Sequence, residues 1–138
     1  MKMQRIAVGL TATNLVRFIV IGAMVAPHAA LAQTKAPTIQ GVDASAIEDL
    51  VAANRILAHE GVLDGFGHVS MRHPGNPNRY LLSRNLAPEL VTASDIMEFE
   101  VESSDPVDGG GRAVYLERFI HGQIYKARPD IHAVVHSH

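Results

Sequence analysis

The spacing of apolar positions changes several times along the chain, and each change marks an element. From Asp43 onward, Ile47, Leu50, Val51, Asn54, Leu57 and Ala58 recur at three- and four-residue spacing, the period of a helix with one buried face. Asp43 or Ser45 can cap its start, and Gly61 can end it. Phe66, Val69 and Met71 belong to a strand-like segment that stops at His73-Pro-Gly-Asn-Pro-Asn78, a dense turn signal. Tyr80-Leu81-Leu82 resumes as a strand, so 66–82 reads as a hairpin. Thr92 or Ser94 opens a turn toward a third strand, Ile96 to Val101, and the glycine-rich stretch Ser103 to Arg112 reads as a mobile loop. A second helix is expected over about 114–127, with Leu116, Phe119, Ile120, Gln123 and Ile124 on its buried side, and Pro129 stops it. Ile131 to His136 is a β-branched run, expected to be a buried strand. The order helix, antiparallel strands, helix, strand implies an α/β or α+β sandwich. A final strand with nothing after it would leave a sheet edge uncovered.

Residues 1–32 have a different character. Their charges are Lys2, Arg5 and Arg17, all positive, followed by the apolar run Phe18 to Ala26 and by Ala30-Leu31-Ala32 before Gln33. This is the layout of an export signal with an A-x-A cleavage site. Nine apolar residues at ~1.5 Å each fall short of a hydrocarbon core ~30 Å thick. The same run could instead be a buried helix, or part of an uncleaved anchor over Ile6 to Ala26. The preferred expectation is a signal peptide over 1–32, a flexible leader over 33–42 and one domain over 43–138. Contact with a membrane would then be transient, and the destination the periplasm.

Composition narrows the chemistry. The chain is 47% hydrophobic and 19% charged, the balance of a folded domain rather than a disordered one. It has no cysteine, so thiolate metal sites, disulfides and cysteine nucleophiles are excluded. Any metal must sit on histidine, carboxylate or water. Beyond residue 32 there are fourteen acidic and nine basic side chains, a balance that argues against nucleic acid as a partner.

Eight histidines are present, and two of them form His136-Ser137-His138. On a strand, positions i and i+2 share a face, so both imidazoles can converge on one ion. Neutral imidazole suits zinc and other divalent transition metals. The plainer alternative is a pair of surface histidines on a fraying segment. Glu117, on the second helix just before that strand, can bring a carboxylate to the same face; a pairing with Arg118 or Lys126 is its alternative. Three protein ligands would leave open positions for water or substrate, and a carboxylate beside the ion can serve as general acid or base. Among the others, His59 and His121 fall where a helix cap or core hydrogen bond is expected. His73 is expected to be exposed in its turn, and His132 to share the strand face of His136.

From Leu50 to His138 the chain resembles the class II aldolase/adducin family. The matching pieces are Asn54-Arg-Ile-Leu-Ala-His-Glu-Gly61, Gly67-His-Val-Ser-Met-Arg72, Leu82-Ser-Arg-Asn85, Leu90-Val-Thr-Ala-Ser-Asp95, Glu117-Arg-Phe-Ile-His-Gly-Gln-Ile-Tyr125, Arg128-Pro-Asp130 and Ala133-Val-Val-His-Ser-His138. The separation of Glu117 from the two histidines also matches the family's. The resemblance implies a three-layer α/β/α sandwich, here truncated after the His-x-His strand, and a homotetramer with sites between subunits. It implies a divalent metal, zinc first and manganese as the alternative, on His136, His138 and Glu117, with Glu117 also catalytic. The chemistry implied is carbon–carbon bond cleavage through a metal-stabilised enediolate.

Two departures bear on substrate. The family's phosphate-binding pairs are replaced by Gly67-His68, Ser83-Arg84 and Tyr115-Leu116, closer to its decarboxylase-like branch. His68, Ser83 and Arg84 are therefore expected to bind a small carboxylated substrate, against the alternative of simple packing and a surface ion pair. Family members also continue past the His-x-His strand and supply a third metal histidine there. The expectation for the chain as written is weak metal binding and slow turnover or none. A non-catalytic, adducin-head-like module and a degenerate product are the competing readings.

Overall fold

A computed structural model describes residues 38–138. Helix α1 (Ala44–His59) leads into β1 (His68–Arg72) and β2 (Arg79–Ser83). Two short 3-10 turns, Pro88–Leu90 and Ala93–Asp95, precede β3 (Ile96–Glu100), and α2 (Arg118–Ala127) and β4 (Ala133–His136) follow. The four strands form one antiparallel sheet in the order β3-β2-β1-β4.

Alternation along the strands sorts the core into two clusters. Val69, Leu81 and Ile96 pack with Ile47 and Leu50 of α1, while Tyr80, Leu82, Met97 and Phe99 pack with Tyr125 of α2. Successive strand residues point to opposite faces, so the helices lie on opposite sides of the sheet. The three layers expected of the fold are α1, sheet and α2.

The first helix follows its pattern. Ile47, Leu50 and Asn54 are buried, Asp43 occupies the N-cap position without a side-chain cap bond, and Gly61 takes the left-handed conformation (φ 70°) just past the end. Asn54 is the polar member of the buried face. Its amide donates to the Leu50 carbonyl at 2.9 Å, and its Oδ1 accepts the Val69 amide at 3.1 Å. Pairing of β1 with β2 begins only at Ser70, so this side chain satisfies a strand amide next to the last rung of that ladder. Ahead of α1, Ile39 and Val42 pack against the same cluster.

The second helix departs from expectation in length and in face. It starts at Arg118 rather than near 114, and its buried residues are His121, Gly122 and Tyr125. Leu116, Phe119 and Ile120 are 78%, 46% and 45% exposed. The helix turns its polar aromatic side inward because Ser70 and Arg72 of β1 offer partners there, a tertiary override of the apolar period. Arg72 is the main one. Its guanidinium donates to the carbonyls of Pro77 (2.7 Å), Tyr125 (2.8 Å), Ile131 (3.0 Å) and Arg128 (3.1 Å), and it stacks 4.7 Å over the Tyr125 ring.

Two other expectations are corrected. The last strand is shorter and largely open rather than buried, with Ala133 and Val135 exposed, because it pairs with β1 alone. His73 is 4% exposed, not solvated. It accepts the Gly75 amide on Nδ1 and donates from Nε2 to the Gln40 carbonyl at 3.1 Å, with Glu98 at 3.4 Å; the segment before α1 covers its turn. Residues 1–37, which include the export-signal reading, lie outside the described residues. Among the described residues no helix is long and apolar enough to cross a membrane.

Lysine cannot span four carbonyls, so Arg72→Lys is expected to lower the unfolding free energy by about 3 kcal/mol or more, at ~1–3 kcal/mol for each buried partner left unmet. Urea midpoints measure this. A loss below about 1 kcal/mol would mean the guanidinium contacts add little.

Candidate metal centre at the beta1 and beta4 strands

Register builds the site. His68 is paired with His136 and Ser70 with Val134 across β1 and β4, so these four residues share one face. Ser70 touches Tyr125 and His121 of α2, which fixes that face as the one α2 covers. Gly67 permits the close approach that starts β1: a β-carbon there would stand 3.1 Å from the His136 carbonyl and closer still to Leu63.

His136 and His138 converge as the His-x-His spacing implies. Their Nε2 atoms stand 3.0 Å apart. The Nδ1–H of His138 donates to Oδ2 of Asp64 at 3.2 Å, because an ionised carboxylate can only accept. In the neutral ring the Nε2 of His138 is then a lone pair, and His136 supplies the proton between the two rings. A cation accepting both lone pairs would replace that proton.

His68 lies beneath them. Its ring stacks on Tyr115 (centroids 4.0 Å apart) and on His136 (5.0 Å). Nδ1–H donates to the Phe66 carbonyl at 3.0 Å, so Nε2 carries the lone pair, and that atom is buried without a partner. Burial lowers the His68 pKa, opposed by the Phe66 carbonyl and the charge of Glu117. His121 completes the group. Its Nδ1 is 2.6 Å from the Ser70 hydroxyl, which is 2.8 Å from the Tyr125 hydroxyl, while its Nε2 is also buried and unpaired. Burial, with His68 and His136 adding, pushes His121 down to about 3. Burial also raises the Tyr125 phenol to about 12, although Ser70 opposes it. The helical-histidine expectation therefore holds for His121 as a core hydrogen bond, whereas His59 is exposed on the last turn of α1.

The remaining expected residues are more dispersed. Glu117 is half-buried at the N-cap position of α2, near enough for its charge to act on His68. Among the described residues no three His, Asp or Glu side chains form a metal-holding group; the donors that meet are the His136–His138 pair. Ser83 ends β2 with its hydroxyl buried and unpaired. Arg84 donates from Nε to Asp95 at 2.6 Å, so its guanidinium is engaged by a carboxylate that also caps a 3-10 turn through Thr92. His132 is exposed just ahead of β4.

Sequence reasoning missed Asp64, Ser70, Tyr115 and Tyr125. Asp64 lies between the expected helix end at Gly61 and the strand-like segment from Phe66, and drew no reading. The contacts of the others depend on the pairing of β1 with β4 and on which face α2 presents.

The residues fit a divalent ion as a two-nitrogen donor set with a carboxylate behind one imidazole, an arrangement common among metal-binding histidines. Comparisons with known proteins agree with the fold. The model of the Class II Aldolase and Adducin N-terminal domain family matches residues 48–138. The chain belongs to the class II aldolase/adducin family. It is 40% identical over 93 residues to the decarboxylase tropJ of Talaromyces stipitatus, covering 67% of this chain and 35% of that protein. It is 36% identical over 104 residues to the 3,4-dihydroxyphthalate decarboxylase of Arthrobacter keyseri, covering 69% of this chain and 41% of the relative. Its structure resembles the L-fuculose 1-phosphate aldolase from Glaciozyma antarctica PI12, with a TM-score of 0.61 and 39% identity over 74% of this chain and 44% of the other. The chain thus spans well under half the length of these relatives.

The buried imidazoles set a pH dependence. Both folded pKa values lie below the 6.5 of the unfolded state, His121 at about 3, so the unfolded chain binds protons that the folded chain refuses. Their contribution is fully present above pH 6.5 and is lost progressively as pH falls toward about 3. The melting temperature is expected to drop between about pH 6.5 and 5, above most carboxylate titration. His121→Asn, which keeps an acceptor for Ser70, should flatten that drop; thermal melts at stepped pH check it, and an unchanged slope would discharge His121.

Proposed function

We propose that the chain carries the metal-binding half of a divalent-metal-dependent lyase that breaks a carbon–carbon bond in a small carboxylated substrate, decarboxylation being favoured. The observation that carries this reading is the 3.0 Å approach of the His136 and His138 Nε2 atoms beside a buried histidine with a free lone pair. Two relatives sharing at least 36% identity are decarboxylases by name. Zinc is the ion we propose, with manganese as the alternative, in an exported, periplasmic homotetramer.

A divalent ion held there supplies a positive charge that polarises a substrate oxygen and stabilises the electrons left when the bond breaks. The protein's residues do the rest. When carbon dioxide leaves, the bonding electron pair stays on the substrate carbon and needs a proton. Glu117, as its acid, delivers that proton and is then left as a carboxylate. His68 is buried and held neutral, with Nδ1–H on the Phe66 carbonyl, so it does not pair with a substrate carboxylate as a cation. This revises its expected role. Arg84 keeps further guanidinium hydrogens while holding Asp95 and would meet the substrate carboxylate with them. Ser83 shares the α1-side face of Leu81 by alternation along β2, so the register does not bring its hydroxyl beside His68. His68, stacked on Tyr115 and beside His121, excludes water from the floor of the site.

The test is carbon dioxide release from 3,4-dihydroxyphthalate by the purified chain with zinc or manganese. Glu117→Gln is expected to reduce kcat about 100-fold or more, the scale of lost acid–base catalysis, and His136→Ala to abolish metal dependence. Equal rates for the chain and Glu117→Gln would remove Glu117 from the reaction. The convergence of only two donors among the described residues favours the second reading, a non-catalytic adducin-like module. Undetectable metal after dialysis against zinc or manganese would favour that reading.

A further inference from the structure

Asp64 has no place in the metal set read from the sequence, yet it touches one member of it. It sits in the turn between α1 and β1, where its Oδ1 accepts the amides of Phe66 and Gly67, each at 2.9 Å. Those two bonds hold the carboxylate in place from its own backbone. The second oxygen, Oδ2, is left to receive the Nδ1–H of His138 at 3.2 Å. Phe66, on the same turn, has its ring 6.2 Å from that of His138.

We infer that Asp64 is a positioning residue for metal capture, fixing the His138 tautomer so that the Nε2 lone pair faces His136. This rests on the metal reading given above. A neutral imidazole has one N–H and one lone pair, and which nitrogen carries the proton decides whether the ring can ligate through Nε2. The His138 ring is exposed, with its Nε2 near a second base. Without a partner at Nδ1 either tautomer would be available to it. The carboxylate removes that freedom, and it makes the imidazole a stronger donor. The turn amides make the arrangement rigid: the oxygen that binds His138 cannot swing away without breaking two backbone hydrogen bonds.

Asp64→Asn separates these roles. The amide oxygen can keep both turn bonds, while the amide nitrogen donates to Nδ1 and forces the proton onto Nε2. Zinc affinity of the 138-residue chain, measured by competition with a chromophoric chelator, is expected to fall about 10- to 100-fold, the effect usual for losing such a partner. The metal-free melting temperature should stay within a degree or so of wild type, since the turn is retained. Long-range nitrogen NMR on the metal-free chain should show His138 as the Nδ1–H tautomer in wild type and Nε2–H in the variant. Unchanged affinity in a folded Asp64→Asn chain, or an Nε2–H tautomer in wild type, would overturn the inference; the wild-type spectrum decides even if the variant fails to fold. Zinc uptake that is the same in wild type and His136→Ala would overturn the metal reading itself, and this inference with it. That outcome is distinguishable from a failed Asp64 role, in which His136→Ala weakens binding and Asp64→Asn does not.

Discussion

The guanidinium of Arg72 is the constraint on which the site depends. It stands at the end of β1 and donates to carbonyls from the hairpin turn, the last turn of α2 and the approach to β4. The acceptors on α2 are C-terminal carbonyls, where the helix leaves backbone oxygens unpaired and where a cation is favoured by the aligned peptide dipoles. One side chain therefore closes the end of α2, sets where the chain turns toward β4, and fixes both against β1. The first residue back along β1 on the same face is Ser70, and the next is His68. Displacing Arg72 would slide the α2 and β4 contributions relative to the β1 contribution, so the histidines would no longer meet.

A second constraint acts from the opposite layer. Asn54 of α1 holds the Val69 amide, so β1 is pinned from behind while Arg72 pins it along its length. Between these two points β1 presents His68 and Ser70 to α2. At the other end of the helix, Tyr80 donates to the Arg118 carbonyl and Arg118 donates to Ser104 and Tyr115. Tyr115 in turn bonds both the amide and the carbonyl of Leu86 and lies flat against His68. The histidine cluster is thus braced at both ends of α2 by hydrogen bonds to backbone, which have fewer alternative geometries than pairs of long side chains.

Much of this was legible in the residues and some was not. The helix of α1, the hairpin, the third strand and the shared face of His136 and His138 all follow from local period and turn chemistry, which act over a few residues. The face of α2 did not follow, because Leu116, Phe119 and Ile120 belong to the better apolar stripe and yet lie outward. What decides the matter is a polar pairing fifty residues distant in the chain, Ser70 with His121 and Tyr125, and no local pattern carries it. His73 was misread for the same reason: a Pro/Gly turn signals exposure until residues from before α1 cover it. Asp64 is the clearest case. Its hydrogen bond to His138 spans 74 residues and exists only because β1 and β4 are adjacent.

The inward polar face of α2 is itself an argument about function. A helix with a ready apolar stripe would gain more from burying it than from burying two imidazoles whose Nε2 atoms have no partner. Unpaired buried nitrogens each cost about 1–3 kcal/mol, and burial denies both rings their charge near neutral pH. The compensation comes from β1, whose Ser70 bonds His121 and Tyr125 and whose Arg72 bonds the Tyr125 carbonyl and stacks on its ring, and the face so built holds neutral imidazoles, His68 with a free lone pair. Local rules tend to be broken where function requires it, and the break here falls against the two histidines whose nitrogens converge.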